Sequence, residues 1–67
     1  MNQHFFDLPQ EKQQAIINAG YRVFSQNSYK NSPMSEIADA AGISKSLLFH
    51  YFKNQKELYL FLRILKS

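Results

Sequence analysis

The chain has 67 residues, a net charge of +3 at pH 7 and no cysteine. This length allows one domain with a small core, and the absence of cysteine excludes disulfides, thiolate metal sites and thiol nucleophiles. No apolar run approaches the roughly 20 residues of a membrane span and no secretory pattern opens the chain, so we expect a cytoplasmic protein that does not enter a membrane. Residues 1–43 carry a net charge of −1 and residues 44–67 a net charge of +4. A basic half suits a phosphate-bearing partner, although a solvated basic face gives the same pattern.

Apolar residues recur at the helical period along the chain, which predicts an all-α fold. The first helix is predicted over about residues 8–27, with Asp7 as its capping residue and Pro9 in its first turn. Gly20 lies on the apolar face of this helix and predicts the close approach of a second helix. Ahead of the helix, an arm is expected either to close the core or to be ordered only in a crystal; its apolar residues are Phe5, Phe6 and Leu8.

Three further helices are predicted from capping and stop signals. Ser32 is expected to cap a short second helix that opens with Pro33, and Gly42 to end it in the left-handed conformation. Ser44 is expected to cap a third helix that ends at about Phe52. A fourth helix should open at about residue 55 with a capping box formed by Asn54 and Glu57. Its apolar stripe is still running at Ser67, which indicates a truncated helix and a chain that is a fragment; the stripe consists of Leu58, Phe61, Leu62 and Leu65.

Residues 33–52 have the pattern of a helix-turn-helix, because two short helices are joined by a turn of three or four residues that contains a glycine. Ala38 and Ala41 are small enough for the two helices to cross closely, and Ile43 can fill the space beneath the crossing. An ordinary corner between helices has the same pattern. The expected architecture is a single domain over residues 1–67, a three-helix bundle with a helix-turn-helix and the start of a fourth helix.

The third helix divides into two faces. Leu48, Tyr51 and Phe52 should face the core. The other face should carry Lys45, Ser46, Leu47, Phe49, His50 and Lys53. Short polar groups at the helix start, cations and exposed apolar groups suit a helix in the major groove of DNA, where phosphates, base edges and thymine methyl groups are in reach. Two alternatives stay open: the two rings can pack on the fourth helix, and the lysines can be plain solubilising charges.

An ordered series of motifs runs through residues 10–62. It consists of Ala19-Gly20, Val23-Phe24, Tyr29, the run from Glu36 to Lys45, the run from Leu48 to Asn54, and Glu57-Leu58. In this series the chain resembles the N-terminal DNA-binding domain of the TetR family of bacterial transcriptional regulators. The resemblance implies a homeodomain-like fold and sequence-specific binding of double-stranded DNA, more commonly as a repressor. It also implies a near-palindromic operator, a homodimer formed through a C-terminal domain absent from this chain, and a small-molecule inducer that moves the fourth helix.

By position, the resemblance assigns DNA contacts to Ser32, Ser35, Ser44, Lys45, Ser46, Leu47, Phe49 and His50. Lys53 belongs to the same basic face. The chain departs from the family pattern with Ser28 and Ser46 at two glycine positions and Phe49 at a tyrosine position. Gln55 stands where the family has a phosphate-binding lysine, and the adjacent Lys56 is the candidate replacement. Because Ser28 replaces a glycine, Asn27 or Ser28 is expected to adopt the left-handed conformation.

Other classes of function fit less well. A helical module that docks to protein through Phe49, His50 and the fourth helix is the alternative binding function. An enzyme is not expected, because the chain has no phosphate loop, metal motif or nucleophile elbow and little room for a pocket. His4 and His50 have no metal-ligand spacing, and no cofactor, catalytic residue or small-molecule site is expected in this chain.

Overall fold

The computed structural model describes residues 1–66, which form helices joined by short turns. A 3-10 helix over Gln3–Asp7 precedes α1 (Gln10–Gln26), and a second 3-10 helix (Tyr29–Asn31) leads to α2 (Met34–Ala41). Then follow α3 (Lys45–Tyr51) and α4 (Gln55–Lys66). No strand occurs in this part of the chain, and the all-α architecture with a helix-turn-helix is confirmed. No helix within residues 1–66 is both long and apolar enough to cross a membrane.

Two predicted helix caps are wrong, and proline explains both. Pro9 and Pro33 take the N-cap positions of α1 and α2, and neither helix start has a side-chain cap. Each proline has an extended ψ, and its carbonyl accepts the first backbone N–H groups of the helix that follows. Asp7 instead lies 2.9 Å from His4 Nδ1. The Ser32 hydroxyl instead donates to the Ser28 carbonyl at 2.8 Å.

The other capping predictions are confirmed. Ser44 Oγ accepts the Leu47 N–H at 3.1 Å at the start of α3. Asn54 Oδ1 accepts the Glu57 N–H at 2.9 Å, while the Glu57 carboxylate accepts the N–H of Lys53 at 3.0 Å. The return bond of this capping box thus falls one residue earlier than in the usual motif.

The turn between α1 and α2 is more relaxed than the sequence suggested. Asn27 and Ser28 both have extended backbone, with φ of −128° and −66°. No residue other than glycine has a positive φ within residues 1–66. The expected left-handed residue is therefore wrong, because the second 3-10 helix makes the turn without one.

The core lies between α1 and the helices that cross it, and the N-terminal arm closes it. Phe5 is fully buried, with its ring centroid 5.4 Å from that of Phe52 and 5.5 Å from that of Phe61. Leu8 packs at the edge of the core, whereas Phe6 is exposed. The other buried apolar residues are Ile16, Ala19, Val23, Met34, Ile37, Ala38, Leu48, Tyr51, Leu58 and Leu62.

Gly20 of α1 packs against Leu62 of α4. A Cβ atom added there would lie 2.5 Å from Leu62 Cδ1, so only glycine leaves room for this leucine. The predicted close approach is confirmed. One turn beyond this crossing, Leu65 is 46% exposed, so the apolar stripe of α4 is only partly buried within this chain.

Candidate nucleic-acid interface

The turn between α2 and α3 is rigid because backbone hydrogen bonds close it. Gly42 has φ +73° and ends α2 in the left-handed conformation, as predicted. Its N–H donates to the Asp39 carbonyl at 3.2 Å, and the next N–H, from Ile43, donates to the Ala38 carbonyl at 3.0 Å. Paired bonds of this kind satisfy the last carbonyls of a helix. The Ile43 side chain packs against the core beneath the turn, so the direction of α3 is fixed relative to α2.

The two faces of α3 are divided as the sequence predicted. Leu48 and Tyr51 are buried, as is Phe52 at the end of the helix. The opposite side is exposed and presents Lys45, Ser46, Leu47, Phe49 and His50. Leu47 is 37% exposed and Phe49 40% exposed, which is unusual for large apolar side chains on a charged face. The buried face anchors the helix, and the exposed face is free to meet a partner.

The start of α3 combines a cap with a cation. Ser44 is exposed although its Oγ accepts the Leu47 N–H, and a hydroxyl oxygen has further bonding capacity for a second partner. Lys45 Nζ lies 6.0 Å from the centre of the Phe49 ring, one turn further along. Such an exposed contact is weak, worth about 0.5–1 kcal/mol. The ammonium therefore lies beside the apolar part of the surface and can turn toward an anion at little cost.

His50 contacts the N-terminal arm. Its Nε2 lies 3.4 Å from Asn2 Nδ2, and its ring meets the Tyr51 ring edge-on at 5.0 Å. Phe49 makes no ring contact with α4 in the part of the chain that the structure describes. Both rings line one depression together with Glu57, which is in the first turn of α4.

The start of α2 contributes less than the sequence suggested. Ser32 is fully buried, and its hydroxyl bonds to the Ser28 carbonyl inside the turn. The prediction that its side chain contacts DNA is wrong, because the hydroxyl cannot reach the surface. Ser35, in the first turn of α2, is half-buried and keeps some access to solvent.

The turn from α3 to α4 is basic and tightly bonded. Lys53 and Lys56 are exposed. The Gln55 side chain is half-buried and already bonded, because its Nε2 donates to the Tyr29 carbonyl. The N–H of Lys53 and, to a lesser degree, the Met1 ammonium hold the pKa of the Glu57 carboxyl below its ordinary value. Glu57 Oε1 lies 3.1 Å from this ammonium, so the one acidic side chain of the basic half is occupied at the base of α4.

Sequence reasoning missed the position of the arm beside the exposed face of α3. Asn2 N–H donates to the Tyr51 carbonyl at 2.9 Å, and Asn2 Nδ2 reaches the His50 carbonyl at 3.4 Å. The local signal was an asparagine just ahead of a short helix. Nothing in the sequence pattern links that asparagine to a residue 48 positions away. No group of three potential metal ligands comes together among residues 1–66.

The chain matches one protein family and is similar to several known proteins. The family model described as bacterial regulatory proteins, tetR family, matches residues 16–62. The chain is 34% identical over 50 residues to the HTH-type transcriptional regulator AcrR of Shigella flexneri, which covers 75% of this chain and 23% of that protein. It is 39% identical over 54 residues to the HTH-type transcriptional activator FasR of Mycolicibacterium smegmatis, covering 79% of this chain and 25% of that protein. It is 37% identical over 49 residues to the HTH-type transcriptional regulator RutR of Escherichia coli, and this match covers 73% of this chain and 23% of that protein.

The chain spans about a quarter of the length of these curated relatives. No solved structure matches it significantly. These relatives are named as regulators of transcription, and the family match covers the helices that form the interface described above.

Proposed function

We propose a function from the premise that this chain belongs to the tetR family of bacterial regulatory proteins. The chain is the DNA-binding part of a transcriptional regulator and is not an enzyme. It binds double-stranded DNA in a sequence-specific manner through α3. The observation that carries this proposal is the exposed face of α3, where cations, short polar groups and two apolar side chains stand over a fully buried opposite face.

The exposed residues divide into phosphate contacts and base contacts. Lys45, Lys53 and Lys56 supply positive charge for phosphates, which gives affinity without sequence preference. Ser35 and Ser44 are short donors at the starts of α2 and α3, where the backbone of DNA passes in helix-turn-helix complexes.

Base readout falls to the middle of the exposed face of α3. Leu47 and Phe49 are suited to thymine methyl groups, and Ser46 leaves room for close approach to base edges. His50 is the polar group at the far end of this face. Sequence preference should therefore depend on these four residues more than on the lysines.

The full-length protein is proposed to act as a cytoplasmic homodimer. Two DNA-binding domains (heads) related by a two-fold axis would place their α3 helices about 34–36 Å apart on a near-palindromic operator. Dimerisation and binding of a small-molecule inducer would belong to a C-terminal domain outside this chain. Repression is the proposed outcome. The relatives of this chain include the transcriptional activator FasR and the transcriptional repressor AcnR of Corynebacterium efficiens, so both outcomes occur among them.

The test is an NMR titration of the chain with a short mixed-sequence duplex at low salt. Amide shifts should concentrate at Ser35 and in residues 44–56 and should fade as salt rises, because counterion release drives the binding. Shifts confined to residues 58–66, or none, together with association that depends on protein concentration, would instead favour docking to a protein.

Two variants separate phosphate contacts from base contacts. Lys45→Ala should weaken binding to every duplex and reduce the salt slope by about one unit. Lys12→Ala removes the same charge from an exposed position on α1 and should leave binding unchanged. Leu47→Ala should change sequence preference more than affinity, and equal losses on all duplexes would contradict its role in base readout.

A further inference from the structure

Asn2 makes three hydrogen bonds to the last two residues of α3, the helix that we propose reads DNA (the reading helix). Its N–H donates to the Tyr51 carbonyl at 2.9 Å. Its side-chain Nδ2 reaches both the carbonyl and the ring Nε2 of His50, each at 3.4 Å. These carbonyls belong to the end of α3, where helix carbonyls lack partners within the helix. The arm therefore completes the bonding of α3 beside a ring on its exposed face.

The orientation of the Asn2 amide is determined by its own backbone. Asn2 Oδ1 accepts the His4 N–H at 2.9 Å, and a backbone N–H can only donate. The oxygen must therefore point toward His4, which leaves Nδ2, a donor without acceptor capacity, facing the imidazole. For this 3.4 Å contact to be a hydrogen bond, Nε2 of His50 has to be the unprotonated acceptor, which places the proton of the neutral ring on Nδ1.

We propose that Asn2 is a positioning residue that selects the Nδ1–H tautomer of His50 and presents this N–H to DNA as a donor. The proposal rests on the DNA-binding function proposed above. Within residues 1–66, Nδ1 has no hydrogen-bond partner, and the His50 side chain is exposed. A fixed N–H donor on a reading helix suits an acceptor on a base edge, such as guanine N7 or O6 or thymine O4, or a phosphate oxygen.

The contact also defines how charge on His50 would act. A protonated imidazole has only donors, so it would lose the Asn2 contact and the fixed orientation of the ring. The charged groups that line the same depression are the Met1 ammonium, Lys53 and Glu57. The Asn2 contact, as a hydrogen bond to Nε2, therefore requires the neutral ring.

The first test needs no DNA. Long-range ¹H–¹⁵N correlation spectra of the ¹⁵N-labelled chain, recorded where the imidazoles are neutral, report which ring nitrogen carries the proton. Removal of one signal set by His4→Gln assigns the two histidines. We expect His50 to be mainly the Nδ1–H tautomer. Asn2→Asp keeps an acceptor for the His4 N–H but places an oxygen against Nε2, so this variant should switch His50 to the Nε2–H tautomer.

The second test measures DNA preference. Asn2→Asp should reduce the preference for the best duplex over its single-base variants about five-fold, the worth of one hydrogen bond. Gln3→Glu adds the same charge at the neighbouring exposed position and should change only overall affinity and salt dependence. In a His50→Ala background, Asn2→Asp should no longer change preference, because the ring through which Asn2 acts is gone.

The possible outcomes separate this proposal from the proposed function. A wild-type chain that binds DNA but carries the Nε2–H tautomer overturns the role of Asn2 alone. An equal loss of preference with and without His50 also overturns it. A chain that binds no duplex at low salt overturns the proposed function, and with it the DNA contact of His50, whichever tautomer the spectrum shows.

Discussion

Ser44 allows helix capping and DNA contact to be separated by two substitutions at one position. Its Oγ accepts the Leu47 N–H at 3.1 Å, and replacing a capping serine by alanine costs about 1 kcal/mol. A domain of this size is stable by about 3–10 kcal/mol, so Ser44→Ala leaves no more than about 3% of the chain unfolded at 25 °C. A loss of DNA affinity in this variant would therefore reflect α3 and its contacts and not global unfolding.

Ser44→Asp should restore stability and still impair binding. An aspartate is as good a cap as serine, and its charge favours the N-terminus of a helix, so unfolding should return to within about 0.5 kcal/mol of wild type. The same carboxylate would stand beside Lys45, where we place a DNA phosphate. Two like charges about 4 Å apart repel by about 1 kcal/mol in water and by more near a protein surface, so affinity should fall at least about five-fold.

Urea unfolding followed by circular dichroism measures the free energy of unfolding of each variant. Fluorescence anisotropy with a labelled duplex at several salt concentrations measures its DNA affinity. Wild-type affinity in Ser44→Asp would refute the placement of Ser44 at a phosphate. Equal destabilisation by aspartate and alanine would instead refute the capping geometry. The two readouts thus test the local structure and the proposed contact independently.

Three further predictions concern stability. Gly42→Ala should destabilise the chain by about 1 kcal/mol through its φ of +73° alone, since an added Cβ meets no atom within 4 Å, and Gly42→Asn should cost less; equal losses in urea unfolding would contradict this. Gly20→Ala should destabilise by about 1 kcal/mol, because overpacking against Leu62 outweighs the gain in helix propensity, and a more stable variant would show that this leucine yields freely. Glu57, whose pKa is lowered by the bond from the Lys53 N–H, stabilises the fold above its ordinary pKa of 4.5, and this contribution is lost as pH falls through the lowered value. Glu57→Gln should therefore be less stable than wild type at pH 7 and equally stable in acid, and a difference that persists in acid would contradict the assignment.

The features that could be predicted from the sequence are those whose cause lies within one helical turn. The caps at Ser44 and Asn54 and the stop at Gly42 each involve bonds over three to five residues, and these bonds are the expected ones. Only the return bond of the Asn54 capping box differs, because Glu57 accepts the N–H of Lys53. The division of α3 into a buried and an exposed face follows from the helical period alone. Local rules failed at Ser32, because Pro33 replaced it at the cap position and left its hydroxyl to bond inside the turn.

Contacts between distant parts of the chain could not be read in the same way. Asn2 meets His50 across 48 positions, and Gln55 meets the Tyr29 carbonyl across 26. Asparagine, histidine and glutamine are common polar residues, and the sequence around each of them gives no sign of a distant partner. Only the tertiary packing brings these groups together, since Phe5 of the arm packs on Phe52 and Phe61, and Tyr29 packs on Tyr59 of α4. The contacts of the interface that join residues far apart in the sequence therefore became visible only in the structure.

These distant bonds also constrain how movement of α4 could reach the reading helix. Near its start, α4 is joined to the α3–α4 turn by the Lys53 N–H bond to Glu57 and to the second 3-10 helix by Gln55. At its crossing with α1, Leu62 packs over Gly20 and its carbonyl accepts the Tyr21 hydroxyl at 2.9 Å. A shift of α4 along its axis would have to break these contacts together. In the proposed homodimer, a ligand that displaces α4 is therefore expected to move the DNA-binding domain as one body and to change the separation between the two domains, while the exposed face of α3 stays intact.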